Sequence, residues 1–180
     1  FDNIVLDEDY VSRRKGPMKR TGLTFPQILH AAIDTGIAAG ALAAAVDYLK
    51  HNARPWVESG VEHANEEPHI IKQIGEYAVA LRAAESLLRD AARVFDLHEL
   101  NPENKELQDE LILSVATARA HSDSASLKIS SDIFSLLGAS SSLSKWNLDR
   151  FWRNARVHTT HDPIRWRLHH VGNYYLNGVD

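Results

Sequence analysis

Three stretches of about thirty residues each run without a proline beyond their first turn and carry apolar side chains at helical spacing. The first begins at Thr24, has Pro26 in its first turn and is expected to end near Ala53, because Pro55 disfavours further helix. Helices of this length measure about 45 Å, so they can only pack side by side. The sequence therefore predicts an all-α fold.

Four more helices follow from the same apolar spacing and from the residues that break it. They are predicted over residues 68–95, 105–137, 143–157 and 163–176, and Gly138 is expected to end the helix before it. The connections between the long helices are short, so successive long helices are expected to be antiparallel. Turn-forming residues are scarce, with nine glycines and six prolines in 180 residues. The predicted fold is an up-and-down helical bundle of three long helices and two shorter ones.

The N-terminal residues have a different character. Residues 1–10 alternate weakly between apolar and polar side chains, as the last strand of a preceding unit does, and residues 12–22 have the basic, turn-rich composition of a linker. We therefore expect residues 1–22 to be the end of a β domain with its linker, and residues 23–180 to be the helical bundle domain. Because the chain begins at Phe1 rather than at a methionine, we expect it to be a piece of a longer protein.

Composition argues against several classes of protein. Twenty lysines and arginines against 24 aspartates and glutamates leave a net charge of −4, which argues against a generally basic nucleic-acid binder. The absence of cysteine excludes disulfides, thiolate nucleophiles and cysteine-ligated metal sites. We find no apolar run near the roughly 18 residues of a membrane span and no signal peptide, so we expect a cytoplasmic protein without a membrane partner. The sequence contains neither a Gly-x-Ser-x-Gly motif nor a glycine-rich phosphate-binding motif.

Residues 146–175 are the chemically richest segment, crowded with arginine, histidine and aromatic side chains. The planar fork of arginine suits phosphate or carboxylate, so one interpretation is a local anion site. The alternative is that these arginines pair with surface carboxylates or with the C-termini of helices. They are Arg150, Arg153, Arg156, Arg165 and Arg167.

His158 and His161 are three residues apart, a spacing that puts both imidazoles on one face if the turn is helical. Such a pair suits general acid–base or hydrogen-bonding work on a bound substrate. The alternative is a structural pair that caps the break between two helices. No metal site is expected, because zinc requires further ligands and only Asp162 is close in sequence.

Arg54 and Trp56 place a cation next to an indole at the end of the first helix. The pair could grip a flat, phosphorylated ligand, or the arginine could stack on its own tryptophan. Both interpretations are open at this point.

Six motifs along the chain carry a family resemblance: HAAIDTGIA (30–38), ARPWVESG (53–60), IGE (74–76), LDRFWRNAR (148–156), HTTHDP (158–163) and GNYYLNG (172–178). With them the chain resembles the C-terminal helical domain of the acyl-CoA dehydrogenase superfamily. Within that superfamily it is most similar to the flavin-dependent monooxygenase branch, the dibenzothiophene monooxygenases and the sulfur-acquisition oxidoreductases. The resemblance extends over essentially the whole chain, and the block from WRNAR to HDP is specific.

The resemblance implies a three-part subunit that forms a homotetramer, with flavin bound where domains and neighbouring subunits meet. It implies that Arg54 reaches the flavin phosphate of an adjacent subunit, that Trp56 lies beside it, and that the turn at Gly138 abuts the flavin. The residues implied in the block that leads to the active site are Arg153, Asn154 and Arg156. It also implies that the N-terminal helical domain and most of the middle β domain are absent here, so we expect the isolated chain to be inactive.

One difference between this sequence and the dehydrogenase pattern distinguishes two branches of the superfamily. Dehydrogenases that use a catalytic glutamate in this region carry it in a Glu-Gly-Thr sequence, whereas the aligned residues here are Asp162-Pro163-Ile164. A short carboxylate held as an N-cap before proline is badly placed to abstract an α-proton. His158 and His161 instead match histidines of the monooxygenase branch, and the resemblance implies that they are the catalytic residues.

The expected function is therefore that of a reduced-flavin-dependent monooxygenase acting on a small organosulfur compound. FMN is favoured over FAD as the cofactor, and a separate flavin reductase is expected to supply it. Two alternatives are kept: an FAD-dependent acyl-CoA dehydrogenase, and a non-catalytic helical oligomerisation module.

Overall fold

The computed structural model describes residues 2–10 and 20–178. Five α-helices account for most of this part of the chain: α1 (Thr24–His51), α2 (Pro68–Leu100), α3 (Lys105–Leu137), α4 (Asp149–Thr159) and α5 (Arg165–Asn177). The three long helices contact one another pairwise, and their short connections make successive helices antiparallel. The predicted bundle of three long and two shorter helices is confirmed.

Helix α1 is the central element and packs against α2, α3 and α4. Its inward positions are small, and four of its alanines, Ala31, Ala38, Ala41 and Ala45, have no exposed surface. By length and composition α1 is also apolar enough to cross a membrane, which inspection of the sequence did not anticipate. In the fold, 44% of its most apolar window is buried. Packing against three neighbours accounts for the buried part of this composition, whereas Leu29 and Ile33 of α1 are 49% and 50% exposed.

The apolar core has two parts that lie on either side of a charged layer. One part surrounds Tyr77, Ile129 and Ile133 and the other surrounds Val94 and Leu111. Along α1 and α3, the residues between the two parts include a buried carboxylate and a buried guanidinium.

Gly40 sets how closely α4 approaches α1. A Cβ at this position would lie 2.8 Å from the Cε1 atom of Phe151, which is closer than van der Waals contact allows. At Gly36, one turn earlier, an added Cβ would meet nothing within 4 Å. The absence of a side chain at Gly40 therefore lets the ring of Phe151 lie against α1 and brings α4 beside it.

The start of α4 differs from the prediction. The helix begins at Asp149 rather than near residue 143, because residues 139–142 form a short 3₁₀ turn and Asn147 adopts a left-handed φ of 48°. The side chain of Asn147 contacts α4, because its Oδ1 accepts a hydrogen bond from Arg153 Nη2 at 3.2 Å.

Two other helix ends also differ. Thr24 is the first residue of α1 rather than its N-cap, and its hydroxyl donates to the carbonyl of Thr21 at 2.7 Å. Helix α2 continues to Leu100, beyond the predicted end at residue 95, because nothing breaks the helix before Asn101 and Pro102.

Residues 2–10 are exposed and form no strand; Glu8–Tyr10 is a single 3₁₀ turn. A strand needs a neighbour with which to pair, and the described residues supply none. Phe1 and residues 12–19 of the expected linker lie outside the described residues. The domain boundary at residue 22 stays a prediction, and α1 begins two residues after it.

Candidate functional site

A cleft of about 680 Å³ lies between α1 and α4. Its walls consist of apolar side chains from both helices and of polar side chains that come from α4 alone. The apolar residues are Ile33, Ile37, Trp152 and Val157, and the polar ones are Arg153, Asn154, Arg156 and His158. The structure thus brings four of the predicted site residues to one surface, against an apolar wall.

The sequence left open whether the arginines of residues 146–175 bind an anion or form structural contacts, and the structure shows structural contacts for two of those on α4. Arg153 pairs with Asp149, Nε to Oδ2 at 2.9 Å, and Arg150 Nη1 donates to the carbonyl of Asn147 at 2.8 Å. Both are structural contacts within α4 and its preceding turn. The guanidinium of Arg156 forms no hydrogen bond or ion pair with any residue that the structure describes, so it is available to an anion in the cleft.

His158 is held from both sides. Its Nδ1 lies 2.7 Å from Oδ1 of Asp34, and its Nε2 lies 2.7 Å from Nδ1 of His30. Asp34 has no exposed surface, and its other oxygen, Oδ2, pairs with the equally buried Arg119 of α3. A buried carboxylate is stable when it is paired and hydrogen-bonded in this way.

His30 connects the two predicted catalytic histidines, which do not contact each other by their side chains. Its ring centroid lies 4.8 Å from that of His158 and 5.2 Å from that of His161, and it is stacked on His161 with 26° between the planes. Helix α4 ends at Thr159, so His161 follows in the turn and is exposed. The three imidazoles form one cluster, which the spacing of His158 and His161 only partly anticipated.

Two groups, His30 in the cluster and Asp123 near Arg119, have shifted pKa values. Burial is the largest cause that lowers the pKa of His30, followed by the positive charges of His158, Arg119 and His161, while Asp34 acts in the opposite direction. Burial also raises the pKa of Asp123 to about 6, although the nearby Arg119 guanidinium opposes this shift. The structure therefore favours a neutral His30 near pH 7.

Asp162 does not act as the predicted N-cap of α5. The helix begins at Arg165 without a side-chain cap. The Oδ2 atom of Asp162 instead accepts a hydrogen bond from Gln27 Nε2 at 2.9 Å and pairs with Arg167 at 3.4 Å. The carboxylate of Asp162 therefore links α1 to α5 and does not cap the N-terminus of α5.

A second cleft, of about 570 Å³, contains the other predicted residues Arg54, Trp56 and Gly138. Gly138 ends α3 with a φ of 74°, as predicted. Trp56 is 65% exposed and donates from Nε1 to Glu58 at 3.2 Å. In the described part of the chain Arg54 forms no ion pair, hydrogen bond or cation–π contact, so the interpretation in which it stacks on its own tryptophan is wrong.

The two clefts are far apart in one chain. On α1 the first cleft is lined by Ile33 and Ile37, and Arg54 of the second cleft follows the last residue of this helix, His51. At 1.5 Å per residue, the helix from Ile37 to His51 separates the two clefts by about 21 Å. A single ligand of ordinary size cannot reach both clefts of the same chain.

Sequence reasoning missed His30, a member of the cluster, and the buried pair of Asp34 and Arg119 that is bonded to it through His158. A usable signal was present, because Asp34 is a lone carboxylate in an otherwise small and aliphatic stretch of α1. A charge on such a buried helix requires a partner. The identity of that partner, 85 residues away in the sequence, could not be read from the pattern.

The fold and the position of these clefts define a helical C-terminal domain of the acyl-CoA dehydrogenase type. The family model described as "Acyl-CoA dehydrogenase, C-terminal domain" matches residues 28–166, and the chain belongs to this family. Among curated relatives, it is 39% identical over 157 residues to a dibenzothiophene monooxygenase of Rhodococcus erythropolis, a match that covers 84% of this chain and 37% of the relative.

Two further relatives point to the same branch. A probable FMNH2-dependent monooxygenase of Pseudomonas putida, SfnC, is 32% identical over 156 residues, covering 84% of this chain and 39% of that protein. The crystal structure of methanesulfinate monooxygenase MsuC from Pseudomonas fluorescens superposes with a TM-score of 0.85 at 32% identity, over 88% of this chain and 42% of that one. The chain therefore spans about two fifths of the length of the relatives it matches.

Proposed function

We propose that this chain is the C-terminal helical domain of a reduced-flavin-dependent monooxygenase that oxygenates a small organosulfur compound, with FMN as the flavin. The observation that carries the proposal is the α1–α4 cleft, where the guanidinium of Arg156 and the imidazole of His158 face an apolar wall. The names of the relatives support the same chemistry, since they act on dibenzothiophene and methanesulfinate or depend on FMNH2.

The residues present suit a phosphorylated flavin. The guanidinium of Arg54 is exposed beside Trp56 in the cleft at Gly138, which suits a phosphate next to a flat ring. Arg153, Asn154 and Arg156 offer donors to the polar parts of the ligand in the α4 cleft. Reduced FMN, when bound, supplies the electrons with which dioxygen is activated.

The separation of the two clefts supports assembly of the site from more than one subunit. Because about 21 Å of α1 separates Ile37 of the α1–α4 cleft from the end of the helix before Arg54, one protomer would contribute its α4 cleft and another its Arg54 cleft to the same flavin. This separation supports an oligomer, and we propose the homotetramer that the family resemblance implies. The other proposed partners are the organosulfur substrate and a flavin reductase; nucleic acid and membrane are not among them, and the proposed location is the cytoplasm.

Asp162 argues against the acyl-CoA dehydrogenase alternative. A base that abstracts an α-proton must reach the substrate with a free carboxylate. Here the carboxylate is bonded to Gln27 and Arg167 and ties two helices together. His161 is exposed next to His30 and is proposed to hydrogen-bond the reacting oxygen atoms, with His158 assisting from behind.

The test uses the full-length protein that carries this chain. We expect substrate-dependent oxygen uptake and a sulfoxide or sulfinate-type product with reduced FMN, dioxygen and a small organosulfur compound. No reduction of an artificial acceptor is expected with acyl-CoA esters. The opposite result, acceptor reduction by an acyl-CoA without oxygenation, would establish the dehydrogenase, and inactivity in both assays with a full-length protein that binds no flavin would support the assembly module.

A further inference from the structure

The lining of the α1–α4 cleft carries a positive charge that its own residues do not balance. Within the described part of the chain no acidic residue lines the cleft, whereas Arg153 and Arg156 both do. Arg153 is paired with Asp149, at 2.9 Å from Nε to Oδ2, and its Nη2 also donates to Asn147. The uncompensated charge of the cleft is therefore that of Arg156.

The buried carboxylate nearest in its effect on Arg156 does not neutralise it by contact. The charge of Arg156 lowers the pKa of Asp123 on α3, so the two groups lie within electrostatic reach of each other. Within the described part of the chain, however, Asp123 forms its ion pair with Arg119, at 4.0 Å, and none with Arg156. An anion in the cleft can therefore bind the guanidinium of Arg156 without displacing a carboxylate.

His158 lines the same cleft but has its hydrogen-bonding capacity in use. Its Nδ1 lies 2.7 Å from Oδ1 of Asp34, and its Nε2 lies 2.7 Å from Nδ1 of His30. A ligand that bonded either nitrogen would have to replace one of these contacts. Arg156 is thus the better placed of the two to bind a charged group.

The apolar wall opposite offers a surface for a carbon body of some size. Trp152 and Val157 of α4 are 41% and 72% exposed, and Ile33 and Ile37 face them from α1. Exposed apolar side chains that gather in a cleft are typical of a binding site. An apolar cavity of about 150 Å³ holds a benzene ring, so the cleft of about 680 Å³ has room for a ring and its polar substituent.

We propose that the α1–α4 cleft binds an organosulfinate with a bulky carbon part, such as an arenesulfinate, and that Arg156 pairs with the two sulfinate oxygens. This inference rests on the proposed function and names its substrate class. The fork of a guanidinium matches two oxygens on one centre. A sulfinate sulfur keeps a lone pair with which it can accept an oxygen atom, whereas a sulfonate sulfur has none.

The first experiment measures binding and does not depend on turnover. The full-length protein is titrated with benzenesulfinate in a calorimeter, without a reductant. Arg156→Met is expected to raise the Kd by about 10- to 100-fold, because a charge-assisted pair of hydrogen bonds is lost. Arg156→Lys keeps the charge but not the fork and should raise it by about 3- to 10-fold.

The same variants are titrated with FMN, since the flavin phosphate is the other anion of the system. We expect the Kd for FMN to stay within about threefold of the wild-type value. An Arg156→Met protein that binds benzenesulfinate normally but FMN at least about tenfold more weakly would assign Arg156 to the phosphate and overturn the proposal.

The second experiment compares KM for three probes that separate charge from size: benzenesulfinate, methanesulfinate and the neutral methyl phenyl sulfoxide. Arg156→Met is expected to raise KM for both sulfinates by about 10- to 100-fold and to leave KM for the sulfoxide within about threefold. Trp152→Ala is expected to raise KM at least about fivefold for benzenesulfinate and less than about twofold for methanesulfinate. Equal changes for all three probes would show a structural role and refute the assignment.

Arg150→Met is the matched control, because Arg150 is an exposed arginine of the same helix that does not line the cleft. It should change the Kd for benzenesulfinate by less than about twofold. A wild-type enzyme that oxygenates the sulfoxide but neither binds nor oxygenates benzenesulfinate would refute the substrate class and leave the proposed function standing. If the wild-type enzyme oxygenates none of the three probes, the proposed function fails while the calorimetric result still decides the anion site.

Discussion

The buried pair of Asp34 and Arg119 is expected to contribute substantially to the stability of the folded protein, and replacing Asp34 with asparagine tests this. The two side chains have 0% exposure. Within the described part of the chain, Nε and Nη2 of Arg119 have no hydrogen-bond partner, so the bond to Asp34 holds the guanidinium in the core. Removing the carboxylate leaves a positive charge uncompensated in a region of low dielectric constant.

The magnitude follows from the surroundings of that charge. Breaking a buried pair by removing one partner costs about 3 to 5 kcal/mol. Asp123 lies 4.0 Å from Nη1 of Arg119 and retains part of the attraction, so we expect the lower end, about 3 kcal/mol. For a protein of this size that lowers Tm by about 6 to 12 °C.

The assay is urea unfolding of the full-length protein at one fixed concentration, arranged as a double-mutant cycle. Arg119→Met alone should also destabilise, whereas the combined variant Asp34→Asn with Arg119→Met should be more stable than the sum of the two predicts, by about 1 to 3 kcal/mol. Lys128→Met is the matched control, because the exposed pair of Lys128 and Asp132 should contribute less than about 1 kcal/mol. A loss for Asp34→Asn no larger than for this control would refute the reasoning.

Burial raises the pKa of Asp123 to about 6, so its carboxyl group binds a proton more tightly in the folded state than in the unfolded state. The free energy of unfolding therefore falls as the pH rises from about 4 to about 6. Asp123→Asn should remove that loss, of up to about 3 kcal/mol, and a parallel pH–stability curve for variant and wild type would contradict it. Arg54→Ala is expected to raise the Kd for FMN at least about tenfold in a fluorescence titration, since a charge-assisted bond to phosphate is lost; an unchanged Kd would remove Arg54 from the flavin site. Gly40→Ala should destabilise the protein by about 1 to 2 kcal/mol, because the added methyl group would clash with Phe151. Gly36→Ala meets no neighbour and should stabilise the protein by up to about 1 kcal/mol. Equal effects of the two variants in thermal unfolding would contradict the expected clash.

The sequence predicted the residues of the second cleft better than the contacts around the first. Arg54, Trp56 and Gly138 were singled out as ligand-binding residues, and the fold brings them into one cleft. The grouping follows from the chain itself, because the connection after α1 and the end of α3 lie at the same end of an up-and-down bundle. Their role towards the flavin stays a prediction.

The histidine pair illustrates what local spacing cannot supply. An interval of three residues places two side chains on one face only where the helix continues, and α4 ends at Thr159, between His158 and His161. The residue that joins them, His30, is 128 residues from His158 in the sequence. No periodic pattern within a single helix contains information about such a contact.

The sequence by itself determined the long helices, their approximate ends and the all-α bundle, because helical spacing of apolar residues and the positions of proline and glycine act over a few turns of chain. Only the tertiary structure decided which charged groups meet in the core. The pairing of Asp34 with Arg119 and His158, and of His158 with His30, depends on how three helices rotate and approach one another. Packing of the apolar faces and the space left at Gly40 set that arrangement, and these are properties of the assembled bundle rather than of any one segment.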